Sequence, residues 1–211
     1  NDLSIALPKE VVNGYSDYLD CRDPYRALEL FNRFRILCAV KFGALGVIEI
    51  NRLVEEILNR NSLIELDNLS TYPWYRGRPV LITRNEYSLE LFNGDIGITM
   101  AETDSESKDL YVYFSDVSGK PRRFLPHRLP EHETAYAMTV HKSQGSEFET
   151  VLLILPNQDY PVLTRELLYT GFTRAKNHIS IWGREEIIKT SILRKINRNS
   201  GLKDALWENT K

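Results

Sequence analysis

The segment "HKSQGSEF", His141 to Phe148, brings together within eight residues the groups that hold a phosphate-bearing ligand. His141, Lys142, Ser143 and Gln144 offer donors. Gly145 has no Cβ, so a ligand can approach the backbone closely. Glu147 is an acceptor suited to a ribose hydroxyl. Over so short a stretch, a polar connection between two strands has the same composition, and taken alone it is the commoner case. A second segment, "RELLYTGFTRAK", carries Arg174 at the margin of the apolar face that Leu167, Gly171 and Ala175 define on a helical wheel. A guanidinium there can reach a phosphate on a neighbouring domain. Taken alone, it is better explained as an arginine whose stem covers apolar surface.

Other chemistry is missing. No GxxxxGKS/T phosphate loop occurs. His127, His132, His141 and His178 do not group with carboxylates at metal-ligand spacing, so no metal site is expected. No glycine-flanked serine forms a nucleophile elbow. The chain is therefore expected not to bind ATP well, hydrolyse it or cut nucleic acid by itself.

Both segments need strands behind them. In open parallel sheets ligands gather beyond the carboxyl ends of the strands, and both segments are expected there. "AYAMTV" reads as a strand, and "VLLIL", Val151 to Leu155, as a strand covered on both faces. Thr164 should cap a helix running to about Ala175. "HISIWG" reads as a strand and "REEIIKTSILRKI" as a helix, and the polar tail after Asn197 should be loose.

Upstream, "DPYRALELFNRF" reads as a helix with Asp23 as N-cap and Pro24 at its first position, whereas "PKEVVNGYSDYL" is a weaker helical candidate. "RILCAVKF" suits a buried strand. Ile50, Leu53, Val54, Ile57 and Leu58 then form the apolar stripe of a helix. From Arg78 to about Pro130 the helical period is lost. "RPVLIT" is a strand candidate, Asn93-Gly94 a turn, and Ile96, Ile98 and Met100 alternate with Asp95, Gly97 and Thr99. Leu110, Val112 and Phe114 alternate with Tyr111 and Tyr113. The pattern is an α/β domain, residues 1–70 and 133–211, interrupted by a small β-rich domain, residues 71–132, folded as a barrel or sheet.

Composition sets outer limits. The chain has 211 residues, 42% apolar and 27% charged, as in ordinary globular proteins. No apolar run nears the ~20 residues of a membrane span. The opening "NDLSIALPKE" is neither a signal peptide nor a start-Met terminus, as expected of an excised fragment. Cys21 and Cys38 alone make no disulfide framework and suit a reducing compartment. The net charge of −2 is uneven: from Arg174 onward nine Lys/Arg face four Asp/Glu, which is +5 and leaves −7 for the rest. A basic tail attracts phosphates, and a solvated helix face is an equal reading of it.

As a pair, "YAMTVHKSQGSEFETVLLILP" and "LLYTGFTRAKNHISIWG" resemble motifs V and VI of superfamily 1 DNA helicases, and "HKSQGSEF" is close to the pattern of the RecD branch. "FNRFRILCAVKFGALGVIEIN" resembles motif IV of that branch, a much less specific match. "RPVLITRNEYSLELFNGDIGI" and "RLPEHETAYAMTVHKSQGSEF" are similar to the same family, so the resemblance covers nearly the whole chain. It implies an α/β, RecA-like second lobe of the P-loop-NTPase type, a mostly parallel sheet with flanking helices. Into it is inserted a small SH3-like barrel, called 2B. The glycine loop and magnesium carboxylate then belong to the first lobe, which would hold most of the ATP and Mg2+. The resemblance further implies a 5′-to-3′ helicase of exodeoxyribonuclease V that processes double-strand breaks in the bacterial cytoplasm. Its partners would be single-stranded DNA at duplex ends, the N-terminal lobe, and RecB-like and RecC-like subunits. A stand-alone superfamily 1B helicase and a non-catalytic binding module are the alternatives.

Residue roles follow from the same resemblance. Arg174 matches the arginine that reaches the γ-phosphate, and Gln144, Gly145 and Glu147 match the nucleotide-facing part of motif V. Thr139, His141, Lys142 and Ser143 match the part that faces the DNA backbone. Many relatives place a second phosphate-contacting arginine in motif IV. Lys41 is taken as the nearest basic residue here, and a surface lysine at a strand end is an equal reading. In the insert, Arg84 and Asn85 are DNA-contact candidates, and Asn93 is better explained by turn chemistry. Tyr111, Tyr113 and Trp74 could stack on bases, but tyrosines alternating along a strand are more often sheet packing. The motor reading requires the Arg174 guanidinium to emerge into a cleft, neither sealed in the interior nor aimed away from the strand tips.

Overall fold

The computed structural model describes residues 3–66, 74–102, 109–115 and 121–195. The C-terminal tail expected to be loose lies outside them.

Helix α1 (Leu3–Asp20) is the weaker candidate of the sequence, yet it spans 18 residues. Pro8 and Gly14 lower its intrinsic propensity. Burial compensates: Leu7, Val11, Tyr15, Tyr18 and Leu19 form a stripe at most 3% exposed. Gly14 itself is required, because a Cβ there would lie 2.2 Å from Phe34 Cδ1. Helix α2 (Pro24–Phe31) begins as expected, with the Asp23 carboxylate accepting from the Arg26 N–H at 2.7 Å. Strand β1 (Phe34–Cys38) is buried along its whole length, and helix α3 (Val47–Arg60) follows it.

The β-rich region supplies β2 (Pro79–Ile82), β3 (Ile96–Ala101), β4 (Leu110–Ser115), β5 (Pro121–Phe124) and β6 (His132–Thr134). They form an antiparallel sheet in the order β5-β4-β3-β2-β6. Among the described residues β5 and β6 form its two edges and do not pair, so of the expected barrel or sheet the strand order shows a sheet. Strand β6 runs to Thr134 and pairs with β2.

The chain then enters β7 (Ala137–Thr139), β8 (Phe148–Ile154), helix α4 (Arg165–Phe172), β9 (Ala175–Trp182) and helix α5 (Glu185–Leu193). Strands β7-β1-β8-β9 make a second sheet, parallel throughout. Thr164 caps α4 through its Oγ1, which accepts from the Leu167 N–H at 3.2 Å. The helix stops at Phe172 and not near Ala175, because Ala175 already pairs with Phe148 at the start of β9.

The two sheets share one interior. Ile98, Met100 and Tyr113 lie in the same buried cluster as α1, α3 and β1, while Val80, Ile82, Val112 and Phe114 form a second cluster on the other face. Strand β3 is thus covered on both faces, which is why Gly97 and Thr99 are buried as well. A Cβ on Gly97 would sit 2.7 Å from Phe114 Cζ. Tyr113 is 7% exposed and Tyr111 packs on the shared core, so sheet packing accounts for both.

The passage from β6 to β7 is held by hydrogen bonds from elsewhere in the fold. Asn51 of α3 donates to the carbonyls of Thr134 (3.0 Å) and Ala137 (3.1 Å) and accepts from the Ala137 N–H (2.8 Å). The Tyr15 hydroxyl donates to Tyr136 O at 2.5 Å. Arg35 donates to Ala135 O at 2.8 Å. Arg35 is fully buried with no carboxylate partner among the described residues; its guanidinium lies 3.9 Å from the Phe31 ring centroid and 4.9 Å from that of Phe148. Burial pulls it down to about 10, still protonated at neutral pH.

Cys38 is buried in β1 and burial pushes its thiol up, whereas Cys21 is partly exposed. A thiol reagent should modify Cys21 and reach Cys38 only on unfolding. Mass spectrometry of the labelled native protein checks this, and equal modification of both would contradict the buried strand.

Candidate nucleotide and DNA surfaces

The parallel sheet has two ends, and its crossovers sort the expected residues between them. Thr139 is the last residue of β7, His141 and Lys142 follow it, and Lys41 follows the carboxyl end of β1. Glu147 leads into the amino end of β8, and Arg174 into that of β9. Helix α4 carries the chain back from one end to the other. The expectation that both segments lie at the carboxyl ends therefore fails for Arg174. It stands at the amino tips, at the margin of the lobe, neither sealed in nor fully exposed.

At the amino edge Arg174 is held firmly. Its Nε donates to Thr170 O at 3.2 Å, one terminal nitrogen to Ser146 O at 2.9 Å, and the other to Thr173 Oγ1 at 3.1 Å. Its own carbonyl accepts from the Phe148 N–H at 2.8 Å. Every acceptor is a neutral oxygen, and no carboxylate pairs with Arg174 among the described residues. The guanidinium is oriented without being neutralised, the condition that suits it to an incoming anion. Gly145 adopts φ +85°, and a Cβ there would meet nothing within 4 Å, so the backbone is open to approach. Glu147 is exposed and lies 3.7 Å from Lys176. Arg33, just before β1, joins this edge: its Nε is 3.7 Å from Glu149 of β8.

Lys41 lies at the edge opposite Arg174. Strand β1, five residues and about 16 Å long, separates it from the amino edge. Arg33 is the basic residue of that segment on the Arg174 side. Its position before a strand parallel to β9 was the signal, but it becomes visible only once the strand order is known.

At the carboxyl edge the turn after β7 is built from its own polar groups. Thr139 Oγ1 accepts from the Lys142 N–H at 3.2 Å, and Ser143 Oγ donates to Val140 O at 2.7 Å. Ser143 is 0% exposed, so its hydroxyl closes the turn and does not face a ligand; it leaves the contact set. His141 and Gln144 are exposed and line a cleft of about 200 Å³ against α4, with Thr164, Glu166 and Thr170. Lys142 Nζ lies 2.5 Å from one oxygen of Glu133, and Lys41 Nζ 3.1 Å from the other. Burial works to raise the Glu133 carboxyl, but the two lysines outweigh it and hold it below the usual range.

In the antiparallel sheet Arg84 is exposed and lies 3.4 Å from Glu131. The Asn85 side-chain Oδ1 accepts from the Asn93 backbone N–H at 2.8 Å, which ties its amide to the closure of the β2–β3 loop. Asn93-Gly94 is a turn, with Gly94 at φ +106°. Trp74 packs on Arg78 at 4.7 Å and His132 at 5.3 Å. Among the described residues no group of three His, Cys, Asp or Glu could hold a metal ion, and no helix is long and apolar enough to cross a membrane.

Comparison with known proteins agrees with this architecture. Residues 134–181 match the UvrD-like helicase C-terminal domain, and residues 50–114 match the ATP-dependent RecD-like DNA helicase SH3 domain. The chain is 40% identical over 172 residues to RecBCD enzyme subunit RecD of Haemophilus influenzae, covering 82% of this chain and 25% of that protein. It is 40% identical over 177 residues to the RecD subunit of Mycobacterium tuberculosis, covering 84% and 29%. With the ATP-dependent RecD2 DNA helicase of Deinococcus radiodurans it shares 31% over 144 residues, covering 68% and 19%. The chain thus spans less than a third of the length of these curated relatives. By sequence it belongs to the RecD family, and it carries that family's UvrD-like C-terminal and SH3 domains.

Proposed function

We propose that this chain is the second motor lobe of an ATP-dependent DNA helicase that moves 5′ to 3′ on one strand and serves in processing broken duplex ends. The observation that carries the reading is the segregation of its two edges. An oriented, uncompensated Arg174 stands at one edge; Thr139, His141 and Lys142 stand at the other; and the single turn 140–147 joins them. A change at the nucleotide edge therefore has a short covalent path to the DNA edge.

The roles follow from the chemistry at each edge. Arg174 reaches the γ-phosphate from across the cleft, with Arg33 as a second cation on the same side. Gly145 and Gln144 border the nucleotide, and Glu147 turns from Lys176 to a ribose hydroxyl. Mg2+ belongs to the facing lobe, which supplies the phosphate loop; bound there, it would neutralise charge on the transferring phosphoryl group. Thr139, His141 and Lys142 contact backbone phosphates, which carry position and no base sequence. Loss of the γ-phosphate removes the anion that holds Arg174, and the lobes part. Arg84 and Asn85 are secondary DNA contacts on the insert. The motor works in the cytoplasm beside RecB-like and RecC-like subunits, in line with the 40% identity to RecBCD subunits against 31% to RecD2.

Two measurements test this. The complete protein should unwind a duplex with a 5′ single-stranded extension when given ATP, and should co-purify with large helicase–nuclease subunits. Solitary behaviour would favour the stand-alone type. The 211-residue chain alone should show no ATPase, and robust metal-dependent hydrolysis by a pure sample would overturn the half-site reading.

A further inference from the structure

We propose that Lys41 and Lys142 form one phosphodiester-binding site, which the Glu133 carboxylate occupies until a DNA phosphate displaces it. This rests on reading the carboxyl edge of the parallel sheet as the DNA-facing side.

The two lysines come from the ends of different strands and converge on one group. Lys142 holds one Glu133 oxygen at 2.5 Å and Lys41 holds the other at 3.1 Å. Neither has a second acidic partner among the described residues. A carboxylate and the two free oxygens of a phosphodiester present the same pattern: two oxygens, close together, sharing one negative charge. Two ammonium groups spaced for the first therefore suit the second. With Glu133 in place the site carries one surplus positive charge, so it attracts an anion while a tethered one already fills it.

The surroundings allow exchange. Lys41, Lys142 and Glu133 side chains are 45%, 32% and 26% exposed, so the group is reachable from solvent. The carboxylate belongs to β6, which Asn51 anchors through Thr134 O, so Glu133 can leave without moving its backbone. A cleft of about 200 Å³, lined by Val47, Ile48, Asn51, Arg52 and Glu55, adjoins it and gives the side chain room to turn away. Thr139 Oγ1 accepts from the Lys142 N–H, and its own O–H has no acceptor among the described residues. It can add a third donor to a bound phosphate.

The test uses the complete protein without nucleotide and a fluorescent oligothymidylate, titrated at several salt concentrations. Glu133→Gln should tighten binding several-fold at low salt. It should also steepen the slope of log K against log salt by roughly 0.7 for each lysine newly engaged. Lys41→Gln added to Glu133→Gln should return the affinity and slope toward wild type. Unchanged or weaker binding by a cooperatively melting Glu133→Gln protein would overturn the proposal, because Glu133 would then be orienting the lysines. If that variant does not fold, the wild type decides. Oligothymidylate should shield Lys41 and Lys142 together from an amine-reactive label while Lys189 on α5 stays reactive, and no shielding would overturn the proposal. Thr139→Val separates the two readings: weaker binding by it beside a neutral Glu133→Gln removes only the displaced carboxylate. No effect of Thr139→Val, with shielding elsewhere, removes the DNA-facing edge and this proposal with it.

Discussion

Replacing Arg174 with alanine in the complete protein should lower ATP turnover about 10³- to 10⁵-fold if Arg174 acts as the proposed arginine finger. On the proposed reading that corresponds to about 4–7 kcal/mol of transition-state stabilisation. The geometry explains why the effect is large. Three hydrogen bonds to Thr170 O, Ser146 O and Thr173 Oγ1 hold the guanidinium in one orientation before any phosphate arrives. No carboxylate screens it among the described residues, so little charge compensation is lost when it turns to an anion. The fold should survive, because the side chain is only half-buried and its partners can bind water. Arg174→Lys should also stay well below wild type, since an ammonium cannot replace the planar fork. Steady-state turnover with thermal melting as the fold control decides the matter. Wild-type turnover by the purified alanine variant would remove Arg174 from the mechanism.

Asn51→Leu should destabilise the chain by about 2–6 kcal/mol, from a cost of roughly 1–3 kcal/mol for each of the two buried Ala137 backbone groups left unpaired. Asn51 is 7% exposed, and its amide serves Thr134 O, Ala137 O and the Ala137 N–H. Ala137 opens β7, the outer strand of the parallel sheet, where no further strand can take its outward-facing groups. Leucine keeps the volume but offers no donor or acceptor. Urea denaturation should show a lower midpoint with an unchanged slope. A loss below about 1 kcal/mol would mean that water replaces the amide and that the passage between the sheets does not depend on it.

Much of the architecture was legible in the residues. Asp23 and Pro24 announced α2, Thr164 announced α4, and the apolar run Val151 to Leu155 announced a strand covered on both faces. These signals are local: a cap or a period of burial is written within one element. α1 was less legible because Pro8 and Gly14 argue against a helix, and only its contact with Phe34 explains why glycine is there. The β-rich segment was recognised by alternation, but its tyrosines were not placed. Which face of β4 meets a second layer depends on how the sheet lies against α1 and α3.

The family was readable from "HKSQGSEF" and "TRA", because both motifs are local runs of residue types. Which polar residues share an edge of the sheet became visible only in the folded chain. A residue's position along the chain does not say at which end of a parallel sheet it falls, because every crossover carries the chain back across the sheet. For that reason Arg174 came to the amino edge and Lys41 to the carboxyl edge, Ser143 closed inside its own turn, and Arg33 emerged only with the strand order. Glu133, 92 residues from Lys41, met it only because two sheets share one seam.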